Sequence, residues 1–159
     1  MRSSLYGGLA VAAILTVGLV LVACGSSNDN STTTALSKAA FLKQGNAVCA
    51  KGNKQINSAA HKVFGPNKKP TKADETKFAT DTLIPSVQSQ INAIKALGAP
   101  QGDEAKVTAI VTSAQSALDK IKADPTLAFQ NKLDPFAKSN KLTTAYGLTA
   151  CGGGGNGNG

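Results

Sequence analysis

Three cysteines, one histidine, nine carboxylates and seventeen basic side chains are what this 159-residue chain offers for chemistry. His61 has no second histidine with which to hold haem, Met1 is the sole methionine, and no Cys-x-x-Cys-His run occurs, so the common haem ligations fall away. A catalytic triad would have to use His61 with a strained Gly-x-Ser-x-Gly nucleophile turn, and the sequence contains none. Zinc ligands cluster, whereas Cys24, Cys49 and Cys151 are widely spread. Asp74, Glu75, Asp81, Asp103, Glu104, Asp119 and Asp124 fall at the starts or polar faces of helical patterns. Capping and solvation explain them better than a glycosidase pair does. The glycine-rich stretch, residues 152–159, is terminal and not a strand-to-helix turn, so it is no phosphate loop. The expectation is a chain with no catalytic residue, no metal and no cofactor.

Cys24 reads differently from the other two cysteines. Met1-Arg2 precedes an uncharged apolar run from Leu5 to Val22, the shape of a secretory signal, although its length approaches that of a membrane span. The run ends in Leu21-Val22-Ala23-Cys24, which resembles the lipobox of bacterial lipoproteins. That resemblance implies diacylglycerol on the Cys24 thiol, cleavage between Ala23 and Cys24, and attachment to the membrane through lipidated Cys24. A thiolate is the nucleophile such a thioether requires. Residues 1–23 are then a removed signal peptide. Residues 25–34 carry no large apolar side chain, so residues 24–34 read as a flexible tether, with a root-mean-square span of about 17 Å for ten residues.

Removing the lipidated cysteine leaves Cys49 and Cys151, an even pair in an exported chain. A disulfide is the simplest reading, with two free thiols as the alternative. Closing about 100 residues corresponds to about 4 to 5 kcal/mol in the chain-entropy account.

Residues 35–151 carry the elements that must position this pair. Ser37 is a helix cap, with Leu36 and Phe41 as a hydrophobic staple. Phe41, Gly45, Val48, Cys49, Gly52, Ile56 and Val63 then recur at helical spacing, up to a stop at Phe64-Gly65-Pro66. Gly45 and Gly52 flank Cys49 on one face and form a notch, read as room for the backbone around Cys151, with a ligand groove as the alternative. Thr71 caps a second helix, with Phe78, Ile84, Val87, Ile91, Ile94 and Leu97 on its stripe and a kink at Pro85. Asp103 and Glu104 open a third helix, which ends at Asp124-Pro125. Asp134-Pro135 caps a fourth, with proline at its first position, and Tyr146-Gly147 ends it. No stretch alternates with period two. The fold class expected is all-α: an up-down bundle of about four helices closed by one disulfide, followed by a disordered Gly/Asn tail at residues 152–159.

Charge narrows the partners. Without Arg2 the chain keeps 16 lysines against nine acids, a net +7 with no arginine and few aromatics. Nucleic-acid recognition leans on arginine forks and stacking rings, so it is excluded. Lysine suits anionic lipid or an acidic wall polymer, and Lys68, Lys69 and Lys72 are the densest group. Beyond the lipobox, the arrangement resembles small helical lipoproteins of Gram-positive, especially actinobacterial, envelopes, a resemblance that implies no active site. The function expected is a lipid-anchored, extracytoplasmic binding or scaffold module, non-enzymatic, whose partner is an envelope protein or an anionic surface. A carrier of an apolar or acidic ligand, with Phe64, Phe129, Phe136 and Tyr146 lining a cavity, is the alternative, and an enzyme comes third. Deleting the chain after Cys151 is expected to leave the melting temperature nearly unchanged in a thermal scan, because Gly and Asn bury almost no apolar surface.

Overall fold

A computed structural model describes residues 35–130 and 134–152. The expected signal peptide, Cys24, the tether and the tail beyond Gly152 lie outside these residues. Within them the chain is helical, with no strand.

Helix α1 runs from Lys38 to Phe64, and its start follows the sequence closely. The Ser37 hydroxyl accepts the Ala40 amide at 3.2 Å, and Leu36 packs beside the cluster that contains Phe41. Five positions on one face are buried: Phe41, Gly45, Cys49, Gly52 and Ile56. After a turn in which Asn67 takes φ 66°, Thr71 begins α2, Lys72–Phe78. Thr71 and Asp74 form a capping box, each accepting from the other's backbone amide.

The irregularity expected as a kink at Pro85 takes the form of a widened turn just before it. Residues Ala79–Leu83 form a π-helical turn that joins α2 to α3, Ile84–Ala96, as one rod. Proline has no amide hydrogen, and its ring collides with the carbonyl four residues back in a regular α-helix. Widening the turn lets the Ile84 amide donate to the Ala79 carbonyl, five residues back. The Thr80 hydroxyl donates to the Thr76 and Lys77 carbonyls, at 3.1 and 3.2 Å, compensating acceptors along the slip.

Helix α4 spans Glu104–Ala123 and α5 spans Ala137–Tyr146. Each Asp-Pro pair uses one device: Asp124 accepts the Thr126 amide at 3.0 Å, and Asp134 accepts the Phe136 amide at 2.8 Å. The first pair opens a short 3-10 turn, Pro125–Phe129. The second makes a turn ahead of α5, so that helix begins at Ala137 and not at the proline. Gly147, at φ 104°, closes α5 with the paired bonds of a Schellman motif, from the Leu148 amide to Thr143 and from Gly147 to Thr144.

Four rods therefore pack together: α1 on α2–α3, α3 on α4, and α4 on α5. The main core gathers Phe41, Cys49, Ile94, Val107, Ile110, Tyr146 and Leu148. A second centre joins Phe64, Phe78 and Phe129, with ring centroids 5.1 to 6.2 Å apart. Such aromatic contacts contribute about 1 kcal/mol each beyond the area they bury.

The two notch glycines receive side chains, not the backbone around Cys151. A Cβ at Gly45 would lie 2.6 Å from Leu148 Cδ2 and 3.1 Å from Ile94 Cδ1. At Gly52 it would meet the tip of Gln90, 2.3 Å from Nε2. Leu148 is 0% exposed and has nowhere to move, whereas Gln90 is part-exposed and its Nε2 has no hydrogen-bond partner among the described residues. Gly45→Ala is expected to destabilise by about 1 kcal/mol net, overpacking outweighing the gain in helix propensity. Gly52→Ala should be neutral or stabilising by up to about 1 kcal/mol, because Gln90 can swing outward. Urea unfolding curves measure both.

Candidate functional site

The densest set of long-range polar contacts holds residues 147–151 against α1. Cys49 and Cys151 form a disulfide, with Cα atoms 5.0 Å apart across 102 positions. Asn46 lies three residues before Cys49 and Asn53 four after it, so helical spacing puts both beside the bridge. Asn46 Nδ2 donates to the Gly147 carbonyl at 3.0 Å, and its Oδ1 accepts the Ala150 amide at 2.8 Å. Asn53 Nδ2 donates to the Ala150 carbonyl at 2.7 Å. Thus α1 offers donors and an acceptor to a segment with no regular ladder of its own, and Leu148 plugs the Gly45 gap.

Asp103 forms a second polar centre. Expected as a helix-opening acid, it makes no side-chain cap on α4 and turns inward, 9% exposed. Its carboxylate accepts from Tyr146 Oη at 3.0 Å and Lys106 Nζ at 2.7 Å, with Lys38 Nζ at 3.3 Å. Lys38 also stands 4.7 Å from the Tyr146 ring centroid, while Phe41 meets that ring edge-on at 6.1 Å. One carboxylate thereby joins α1, α4 and α5. The Lys106 hydrogen bond is the main cause that holds the Asp103 carboxyl down at about 2; burial opposes it, and Tyr146 and Lys38 assist. Burial first, and the bond to Asp103 second, push the Tyr146 phenol up to about 12.

Between α3 and α4 the Gln88 and Gln115 amides bond reciprocally, at 2.9 and 3.2 Å, and Lys122 Nζ donates to Gln88 Oε1 at 2.7 Å. Beside them lies a solvent-open hollow of about 590 Å³, bordered by Lys95, Thr112, Gln115, Ser116 and Lys120. Its wide mouth makes it a surface groove and not an enclosed ligand chamber.

Three of the aromatics assigned to a carrier cavity, Phe64, Phe129 and Tyr146, are divided between two clusters. Phe64 and Phe129 pack with Phe78, while Tyr146 packs with Phe41 near Asp103. His61 lies exposed on α1. Lys68, Lys69 and Lys72 are exposed in the turn after α1 and at the start of α2. Among the described residues no three His, Cys, Asp or Glu side chains gather as metal ligands, and no helix is long and apolar enough to cross a membrane. Lipidation at Cys24 and cleavage after Ala23 fall outside the described residues. Sequence reasoning missed Asn46 and Asn53, although their spacing from Cys49 was the available signal. Nothing in the pattern paired Asp103 with Tyr146.

No protein-family model, curated protein or solved structure matches the chain.

Asp103 sets a pH dependence. Its folded pKa lies below the unfolded value of about 3.9, so its contribution is complete above that value and is lost as pH falls toward about 2. Tyr146 has the opposite sign: its contribution holds below about 10 and is lost as pH rises through about 12. Asp103→Asn should therefore be less stable than the parent at neutral pH, and the gap should close between about pH 4 and about pH 2 in unfolding followed by circular dichroism.

Proposed function

We propose that this chain is a non-enzymatic, lipid-anchored helical module that engages an envelope partner at the outer face of the cytoplasmic membrane. The observation that carries the reading is the Cys49–Cys151 bridge. A cross-link between thiols 102 positions apart persists in an oxidising compartment and is rare where glutathione keeps thiols reduced. An extracytoplasmic setting agrees with the apolar leader and with the lipobox-like Leu21-Val22-Ala23-Cys24.

The same geometry favours binding over turnover. Asp103, the most buried carboxylate described, is consumed by three partners that tie helices together. Asp74 caps a helix, and Asp124 and Asp134 fix turns. These acids position backbone, and a general acid or base needs a free approach to substrate. The polar faces of α1 and α4 remain for a partner.

Native mass spectrometry of protein extracted from its own membrane, followed by denaturation, tests the proposal. The expected result is a chain beginning at acylated Cys24, two hydrogens lighter than its reduced form. A chain that keeps Met1 or an unmodified Cys24 defeats the anchored reading. A small-molecule mass lost on denaturation turns the module into a carrier.

A further inference from the structure

The charge on α1 is segregated in a way that total composition conceals. The 27-residue helix carries Lys38, Lys43, Lys51, Lys54 and Lys62, and no aspartate or glutamate. Every carboxylate among the described residues lies between Asp74 and Asp134. Lys38 is committed to Asp103. Lys43, Lys51, Lys54 and Lys62 are exposed, and none has a carboxylate within 4.0 Å among the described residues.

These four lysines share a face. At 100° per residue they fall within an arc of roughly 100°, centred nearly opposite the buried stripe of Phe41, Gly45, Cys49, Gly52 and Ile56. The exposed residues that share this arc are small or neutral: Gln44, Ala47 and Ser58, with His61 near the end. No large apolar side chain rises from this face to insert into a bilayer. It is a straight row of ammonium groups on flexible stems, along a rod of about 40 Å. Lys68, Lys69 and Lys72, likewise without a carboxylate within 4.0 Å among the described residues, stand close in sequence to Asp74 and Glu75, whereas α1 carries its four exposed lysines with no acid on the same helix.

We infer that α1 lies lengthwise on the anionic phospholipid headgroups of the membrane that carries the anchor, with Lys43, Lys51, Lys54 and Lys62 as the contact row. The inference rests on the anchored reading, because the tether would enter the domain at the start of this same helix. Were the bundle upright, Lys51, Lys54 and Lys62 would stand about 20 to 36 Å beyond the start of the helix, outside the roughly 8 Å Debye length at physiological salt. Lying flat brings the whole row inside that distance. A plane of fixed negative charge matches a straight row without any shape-specific pocket, whereas a partner protein would need a complementary acidic groove. Acyl chains plus a basic face form a two-signal attachment in which the chains supply residence and the lysines supply orientation.

The test uses the mature lipidated protein in vesicles of phosphatidylcholine alone, or of phosphatidylcholine mixed with phosphatidylglycerol, with an amine-acylating reagent read lysine by lysine by mass spectrometry. Labelling of Lys43, Lys51, Lys54 and Lys62 should slow about fivefold in the anionic vesicles and recover in molar salt. Lys95 and Lys120, which border the α3–α4 hollow, should not change. The exposed substitutions Lys51→Gln and Lys54→Gln together should remove the protection of Lys43 and Lys62 without altering the fold. Equal labelling in both vesicles, with protein still bound in molar salt, overturns the inference while leaving the anchor intact. Protein that leaves the vesicles in molar salt overturns the anchor instead, and the low-salt pattern still judges the row. Protection that appears only after an anionic wall polymer is added assigns the row to that polymer and overturns the lipid assignment.

Discussion

The attachment of residues 147–151 to α1 is the constraint on which the bundle depends. Without it, α5 would end at Gly147 with its following chain free, and the main core would lose Leu148, one of its fully buried side chains. The bridge alone fixes one point. Asn46 and Asn53 fix the backbone on both sides of Leu148, and Gly45 removes the Cβ that would keep Leu148 out. Covalent closure, hydrogen bonding and packing thus act on one five-residue segment. A small domain with a modest apolar content gains most from such a staple, because its burial alone leaves little margin over chain entropy.

Around that staple the two ends of the bundle are stabilised by different physics. Near the start of α1, Asp103 gathers two lysines and a phenol, so three helices meet through charge-assisted hydrogen bonds. Near its other end, the rings of Phe64, Phe78 and Phe129 meet edge-on or tilted. Asp103 makes the first end sensitive to acid, whereas the ring contacts at the second carry no titrating group. Between them, the reciprocal Gln88–Gln115 pair ties α3 to α4 at the margin of the interface, where neutral amides hold register without placing a charge among apolar groups.

Local rules read the helix boundaries well, because the physics that sets them is local. Ser37, Thr71 and Gly147 each act within three or four residues of their own position, and each does what its residue type implies. The cysteine pairing was legible by elimination. Contacts between elements were harder to read. Asp103 and Tyr146 are 43 positions apart, and nothing in either neighbourhood names the other. An aspartate at a helix start satisfies the pattern for a cap whether it faces the amides or turns inward. Pro85 announces an irregularity but not its form, since a kink and a widened turn both relieve the missing amide. Asp134-Pro135 likewise marks a turn without fixing whether a helix begins there or two residues later. The glycines flanking Cys49 showed that something must approach closely; the identities of Leu148 and Gln90 came only from the assembled bundle.

The bridge also decides how the domain bears tension. Cys49 lies early on α1, so a pull applied between the chain before Ser37 and the chain after Cys151 passes through only the first stretch of that helix and then crosses the sulfur–sulfur bond. The 102-position loop that contains most of α1, all of α2 to α4 and α5 is bypassed by this load path. Stretching can unwind residues 38–48 and lengthen the chain by a few tens of ångströms at about 3.5 Å per residue, and there extension stops. The rest of the domain keeps its shape under a force that would unravel an unbridged bundle, and reduction of one bond converts an inextensible link into an extensible one.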